Sequence, residues 1–476
     1  MLRQLFHSAT FNTWISLAVR IGGLALLLPL ALRHFDVQEV LVWQLQSSIV
    51  AMLMWIDFGM TPTFSRFIAV ARGGGTLGQL LRGNVAGVDP ELAARPVTLG
   101  GVTGTLRRIN AIMAVLGSIL VLIIGTLVIQ GPIAGLHDPA TGWLAWVLTA
   151  LAVPVSLLNG SNTAVLVGMD RITPLRRVES LIGFVQIMTT CVAVVTTDSL
   201  AAVAGNYTLW GIVLFAVNRW MAGRALAENG ARPSVYDPAL FRAAWAAGWR
   251  SGIGILFSTG LIQGSGMVMP QIAPPEVAAA YLIVLRIMTL SSQLAQAPFY
   301  TRLPAMAKAN AEGRRADVVK LATGGMRVAL WTLLAGIAAL VFVAPLALEL
   351  IGSSVHIPDQ RLSMLLGVAF FAERYGAMHM QIYTLSNHVI WHRVNGLTGV
   401  IGVVAFVLLW PLVGPVAVPL GMVIGYAGFL CPYISIKSLK FLGLNRWPFE
   451  RATSILPLLA LLGGVSALLT MQAIAQ

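Results

Sequence analysis

The chain has 476 residues, 57% of them hydrophobic and only 10% charged, with a formal net charge of +13. A water-facing globular surface carries about 25% charged residues, so the composition excludes an ordinary soluble domain. The bases cluster in alternate connections between apolar runs, which argues against nucleic-acid binding and for the positive-inside pattern of a multi-pass membrane protein.

The apolar runs are continuous, and about twenty residues suffice to cross a hydrocarbon core of roughly 30 Å. Inside that core every backbone polar group must be satisfied within the segment, so non-alternating runs must be helices. In chain order they predict an all-α protein with about thirteen spans, at 11–33, 40–65, 108–130, 142–169, 174–197, 200–222, 248–272, 276–303, 322–350, 361–386, 394–412, 414–436 and 452–475. The first run is too long for a cleavable signal and reads as a true span.

Even-numbered connections hold the bases: Arg72, Arg82, Arg95, Arg107 and Arg108; Arg171, Arg176 and Arg177; Arg224, Arg232 and Arg242; Lys308, Arg314, Arg315 and Lys320; Arg393; then Lys437, Lys440, Arg446 and Arg451. Odd-numbered ones hold Asp36, Glu39, Asp138, Asp198, Glu276 and Asp359; the exceptions, Arg33 and Arg361, can snorkel to headgroups. This pattern places the N-terminus in the cytoplasm. The expected organisation is an N-terminal six-helix lobe at 1–222, a cytoplasmic linker at 223–247 and a C-terminal six-helix lobe at 248–436. A loop and an appended span follow at 437–476. The linker stretch from Tyr236 to Trp249 reads either as an amphipathic surface helix or as a plain connection.

The halves echo one another. Pro62-Thr-Phe-Ser-Arg66 with Ala69-Val-Ala-Arg72 recurs as Pro298-Phe-Tyr-Thr-Arg302 with Ala305-Met-Ala-Lys308. Each half has an even number of spans, so the repeats run parallel, related by a pseudo-twofold axis along the membrane normal, an architecture of alternating-access transporters.

A charge at the bilayer centre costs about 2.5–3.5 kcal/mol on insertion scales, so it needs a cavity or a partner. Arg20 in the first span faces either an anionic ligand or Asp57. Asp57, in Trp55-Ile-Asp57-Phe-Gly59, is a coupling site for H⁺ or Na⁺, a counter-ion for Arg20 or Arg66, or a packing residue. Arg286 in the eighth span awaits either a phosphate, which guanidinium binds in a bidentate fork, or an acid from another span. Glu373 and Arg374 in the tenth are adjacent and about 100° apart on a helix, so one is expected to face a cavity and the other a neighbouring helix. Arg66 and Arg302, at equivalent ends of the two halves, either receive phosphate or anchor the topology. Pro29, Pro154, Pro270, Pro298, Pro411 and Pro419 mark expected bends.

Enzymatic signatures are missing from the sequence: no HExxH, no CxxC pair and no Walker loop occurs, and the seven His form no ligand spacing. Cys191 and Cys431 suggest neither a disulfide framework nor a metal site. His379 lines a cavity or serves as a hydrogen-bonded structural residue. The expectation is a non-enzyme without a tightly bound cofactor.

The buried Arg20, the Asp57-Phe-Gly59 ending, the following Pro62-Thr-Phe-Ser-Arg66-Phe-Ile-Ala and the Gly168-Met-Asp-Arg171 to Arg177 connection resemble Wzx-type polysaccharide flippases of the MATE-like exporter superfamily. With topology and repeat, the resemblance covers 1–436. It implies two lobes around a central cavity in the bacterial inner membrane. It also implies an undecaprenyl-pyrophosphate-linked oligosaccharide, flipped to the periplasmic leaflet for a polysaccharide polymerase or export machinery. By position Arg20 and Arg286 match the cavity arginines of that family, with Arg66, Arg302 and Arg374 behind them and Asp57 and Glu373 as counter-ions or coupling groups. The thirteenth span departs from the family's common twelve or fourteen. The rivals are a cation-coupled MATE-type drug exporter, whose cavity should be acidic, and a membrane-embedded glycan-processing enzyme.

Overall fold

The computed structural model describes residues 19, 22–23, 26–51, 56–57, 59–80, 90–232, 236–357, 360–386, 388 and 390–475. Nearly all of them are helical. Among the described residues, seven helical segments are long and apolar enough to cross a membrane, and the chain is a multi-pass membrane protein. It divides into two compact units, Met1–Leu256 and Phe257–Gln476.

Unit 1 contains α1 (Val37–Ala51), α2 (Met60–Arg72), α3 (Leu99–Ala134), α4 (Pro139–Gly168), α5 (Ile172–Thr197), α6 (Leu200–Glu228) and the start of α7 (Pro238–Ile272). Their ends follow local chemistry. Thr98 caps α3 by accepting the Gly101 amide at 3.1 Å. Asp138 caps α4 by accepting the Ala140 amide at 3.0 Å, just ahead of Pro139 in the first turn. Along α3 the buried face carries Val121, Gly125 and Ile129, whereas Leu116, Leu120, Ile123 and Leu127 are exposed. Large apolar residues on the outer face are what lipid, rather than water, requires. α4 is the hub and packs against α2, α3 and α6. Gly168 permits its contact with α2, because a Cβ there would lie 2.6 Å from the Ser65 carbonyl oxygen.

The expected span at 40–65 is interrupted. The helix breaks at Asp57 and Gly59 and restarts as α2, with Gly59 at φ 70°, a conformation glycine adopts freely. Pro62 therefore sits in a first turn. In the second half, α8 (Pro275–Tyr300) continues through Pro298, then breaks at Thr301–Arg302 before α9 (Leu303–Ala311). The echoing residues thus occupy different positions relative to their helix breaks. The stretch from Tyr236 leads into α7 without interruption. Leu240, Ala243 and Ala244 join the core of unit 1, and Asp237 pairs with Arg95.

Unit 2 continues with α10 (Arg315–Ala338), a π-helical turn at Ala339–Val343, α11 (Ala344–Leu350), α12 (Gln360–Thr384), α13 (Trp391–Val413), α14 (Ala417–Val423), a second π-helical segment at Ile424–Leu430, α15 (Cys431–Leu442), α16 (Arg446–Thr453) and α17 (Ile455–Ala475). Both π segments lead into helices with proline in the first turn, Pro345 and Pro432. Proline lacks an N–H and crowds the carbonyl one turn back, and a widened turn relieves that conflict. These widenings fall at prolines other than the six expected bends.

The run from Trp391 to Leu442 doubles back at Gly414, where φ is 57°. Its two arms touch through backbone. A Cβ on Gly421 would lie 2.5 Å from the Gly402 carbonyl oxygen, and one on Gly425 would lie 2.7 Å from the Thr398 carbonyl oxygen. Small residues give membrane helices this close approach. Gly421→Val is expected to separate the arms and lower the melting temperature in detergent. Gly428→Val, with open space around it, is expected to leave it unchanged.

Candidate functional site

In unit 1 the helix break gathers a cluster of polar groups. Asp57 turns back to cap α2: its Oδ1 accepts the Thr61 hydroxyl at 2.7 Å and its Oδ2 the Thr61 amide at 3.3 Å. Gly160 of α4 makes the space. A Cβ there would sit 3.2 Å from Thr61 Oγ1, 3.3 Å from Asn110 Nδ2 and 3.8 Å from Asp57 Oδ1. Elsewhere in the unit, Asn218 Nδ2 donates to Asn159 Oδ1 at 3.2 Å. The side-chain oxygens of Asn110 and Asn218 are buried without a hydrogen-bond donor among the described residues. A carboxylate with hydroxyl and amide neighbours is suited to hold a proton or a small monovalent cation.

Of the alternatives open to Asp57, an ion pair with Arg66 is not formed among the described residues. Asp57 is committed to the α2 N-terminus, while Arg66 donates to the Leu80 carbonyl at 3.4 Å and lies 5.6 Å from the Phe67 ring centroid. Arg20 lies outside the described residues, as does any pairing it makes.

In unit 2, Arg286 is half-buried on α8. Arg302, at the turn after α8, donates to the Leu321 carbonyl at 3.4 Å and lies over Gly324 and Gly325 of α10. A Cβ on Gly324 would meet Arg302 Nη1 at 2.6 Å, so the glycines form a notch for this guanidinium.

Glu373 and Arg374 do not point apart as expected. Arg374 Nη2 lies 3.3 Å from Glu373 Oε2, because two long side chains reach across the angle separating their Cβ directions. Arg374 also binds α8: Nε and Nη2 donate to Ser292 Oγ at 3.2 and 2.6 Å, and Nη1 donates to Gln296 Oε1 at 3.2 Å. Every nitrogen of this guanidinium has a protein partner.

A second buried network joins α12 to the C-terminal segment. Glu450 of α16 accepts the hydroxyls of Tyr375 and Ser454. His379 is fully buried, with Nε2 3.7 Å from Glu450 Oε1 and Nδ1 hydrogen-bonded to Ser438 Oγ at 2.6 Å. His379 is thus a structural residue. Among the described residues no group of three or more His, Cys, Asp or Glu is placed to hold a metal.

No family model and no curated protein matches this sequence. Solved structures match its fold. An inward-facing multidrug resistance MATE family transporter of the MOP superfamily covers 94% of this chain and 99% of its own, with a TM-score of 0.59 at 13% identity. The chain has a MATE-like fold. Lipid II flippase MurJ, in an inward closed conformation, shares this MATE-like arrangement over 98% of this chain and 99% of its own, with a TM-score of 0.60 at 12% identity. A MOP superfamily transporter from Pyrococcus furiosus, described by a reverse polarity of its binding pocket that suggests a different function, covers 94% of this chain and 98% of its own, with a TM-score of 0.52 at 13% identity.

Two further charges lie inside the described helices. Arg219 lies within α6 and Arg327 within α10, each well inside its helix. A repeat signal was available for one of them: Thr103-Gly-Thr-Leu-Arg107, just ahead of the third expected span, recurs as Thr323-Gly-Gly-Met-Arg327 at the start of the ninth, and a six-span repeat makes the two equivalent. Glu450 gave no such signal, since an acid in a short amphipathic helix normally faces solvent.

Proposed function

We propose that this protein is a flippase that carries an undecaprenyl-pyrophosphate-linked oligosaccharide from the cytoplasmic to the periplasmic leaflet by alternating access, for surface or exopolysaccharide assembly. The reading retains thirteen spans, two six-helix lobes and a cytoplasmic N-terminus. It rests on one observation above all: inside the helices of a MATE-like fold, bases outnumber acids. Among the described residues, Arg219, Arg286, Arg327 and Arg374 are set against Glu179 and Glu373, with Asp57 at a helix break. An excess of guanidinium favours an anionic cargo, since burying phosphate needs compensating charge. The lipid II flippase among the similar structures supports a lipid-linked glycan as cargo. A drug exporter for cations would call for the opposite balance.

Arg20→Ala and Arg286→Ala are each expected to abolish surface polysaccharide, and translocation of the lipid-linked glycan in proteoliposomes, with normal amounts of membrane-inserted protein. Lysine at either position should restore only part of the flux, since a point charge replaces a fork. Loss of inserted protein would instead assign these arginines to structure. Unchanged polysaccharide in a deletion strain that becomes sensitive to cationic drugs would point to the MATE-type drug exporter.

A further inference from the structure

The base-rich end of unit 1 carries a groove of about 710 Å³ along α6, lined by Phe215, Ala216, Arg219, Trp220, Gly223 and Arg224 among others. Trp220 is 64% exposed. Arg107 of α3 lies close enough to Arg219 for the two charges to act on each other. Nearby, Glu228 is already shared by Arg171 at 2.6 Å and Arg224 at 3.0 Å, and the Arg224 guanidinium lies 6.0 Å from the Trp220 ring centroid. No acid among the described residues pairs with Arg107 or Arg219.

Arg107 is eight residues from the start of α3 and Arg219 nine from the end of α6, each roughly 12–14 Å along its helix at 1.5 Å per residue. Like charges held near one another repel, and an anion between them removes that repulsion. The same face of α6 continues away from the arginines as an exposed apolar stripe through Ile212 and Leu209, which are 47% and 56% exposed. Tryptophan marks headgroup level, so the stripe below it runs where acyl chains lie.

We propose that Arg107, Arg219 and Trp220 form a binding site for the phosphate of an anionic phospholipid in the cytoplasmic leaflet, with its acyl chain along Ala216, Ile212 and Leu209. The two guanidiniums hold the phosphate oxygens, and the indole covers the glycerol. The apolar continuation of the groove selects a membrane lipid over a soluble anion. This site is independent of the cargo assigned above.

The test uses the full-length protein in nanodiscs, with brominated phosphatidylglycerol or brominated phosphatidylethanolamine as quencher of tryptophan fluorescence. The wild-type signal that Trp220→Phe removes isolates Trp220. That component is expected to show about tenfold preference for phosphatidylglycerol, following the attraction of basic residues to anionic lipid. The preference is expected to vanish in Arg107→Gln/Arg219→Gln, to weaken in the double lysine variant and to persist in Arg314→Gln/Lys320→Gln. Equal quenching by both lipids in the wild type overturns the proposal without reference to any variant. So does displacement of the lipid by millimolar inorganic phosphate, which would make this a soluble-anion site.

Discussion

Replacing Arg374 by alanine is expected to destabilise the protein by about 3 kcal/mol, the scale for stripping one partner from a buried ion pair. Glu373 would remain in the helix interior without its base, and Ser292 and Gln296 of α8 would lose the donor that ties them to α12. The Coulomb term and the hydrogen bonds act in the same direction. Taking out both charges should cost far less. Glu373→Gln/Arg374→Met removes the stranded carboxylate, and the methionine preserves much of the packing volume. Thermal unfolding of the wild type, Glu373→Gln, Arg374→Met and the double variant in one detergent measures this as a double-mutant cycle. A loss in the double variant equal to the sum of the two single losses would mean the pair contributes no coupling. Normal stability with lost flux in Arg374→Ala would return this arginine to the substrate-binding set.

Glu450→Ala is expected to release the C-terminal segment. Glu450 is the common acceptor for Tyr375 and Ser454, beside His379. Its removal strands two hydroxyls at a helix junction, and each unsatisfied buried group costs about 1–3 kcal/mol. Because α16 leads directly into α17, the loss should fall on that segment before the remainder of unit 2. Limited proteolysis is expected to cut between Leu442 and Ile455 in Glu450→Ala and to spare the wild type. Glu450→Gln keeps one acceptor and should show an intermediate rate. A wild-type cleavage pattern in the alanine variant would show that apolar packing alone holds the segment.

Much of this architecture was legible in the chain. Helix class and membrane residence follow from apolar runs such as the one in α3, because hydrocarbon leaves a backbone no other single-segment solution. The MATE-like resemblance followed from motifs around Asp57 and Arg66 and is matched by fold similarity to MATE-family transporters and the lipid II flippase. The break at Asp57 and Gly59 was not read, since a left-handed glycine differs in no sequence feature from one that eases helix packing.

Partner choice, by contrast, belongs to tertiary structure. Sequence spacing set Glu373 and Arg374 apart, yet their ion pair arises because α8 presents Ser292 and Gln296 where the guanidinium must lie. Arg66 and Arg302 were equal by sequence, but one leans on an aromatic ring and the other fills a notch made by Gly324 and Gly325. Glu450 looked like a solvated acid until α12 brought Tyr375 and His379 to it. The sequence by itself determined where the chain is apolar enough to stay in lipid, because transfer free energy adds residue by residue along a segment. Only the tertiary structure decided which charges find partners, because Coulomb and hydrogen-bond energies depend on distances across helices that are remote in sequence.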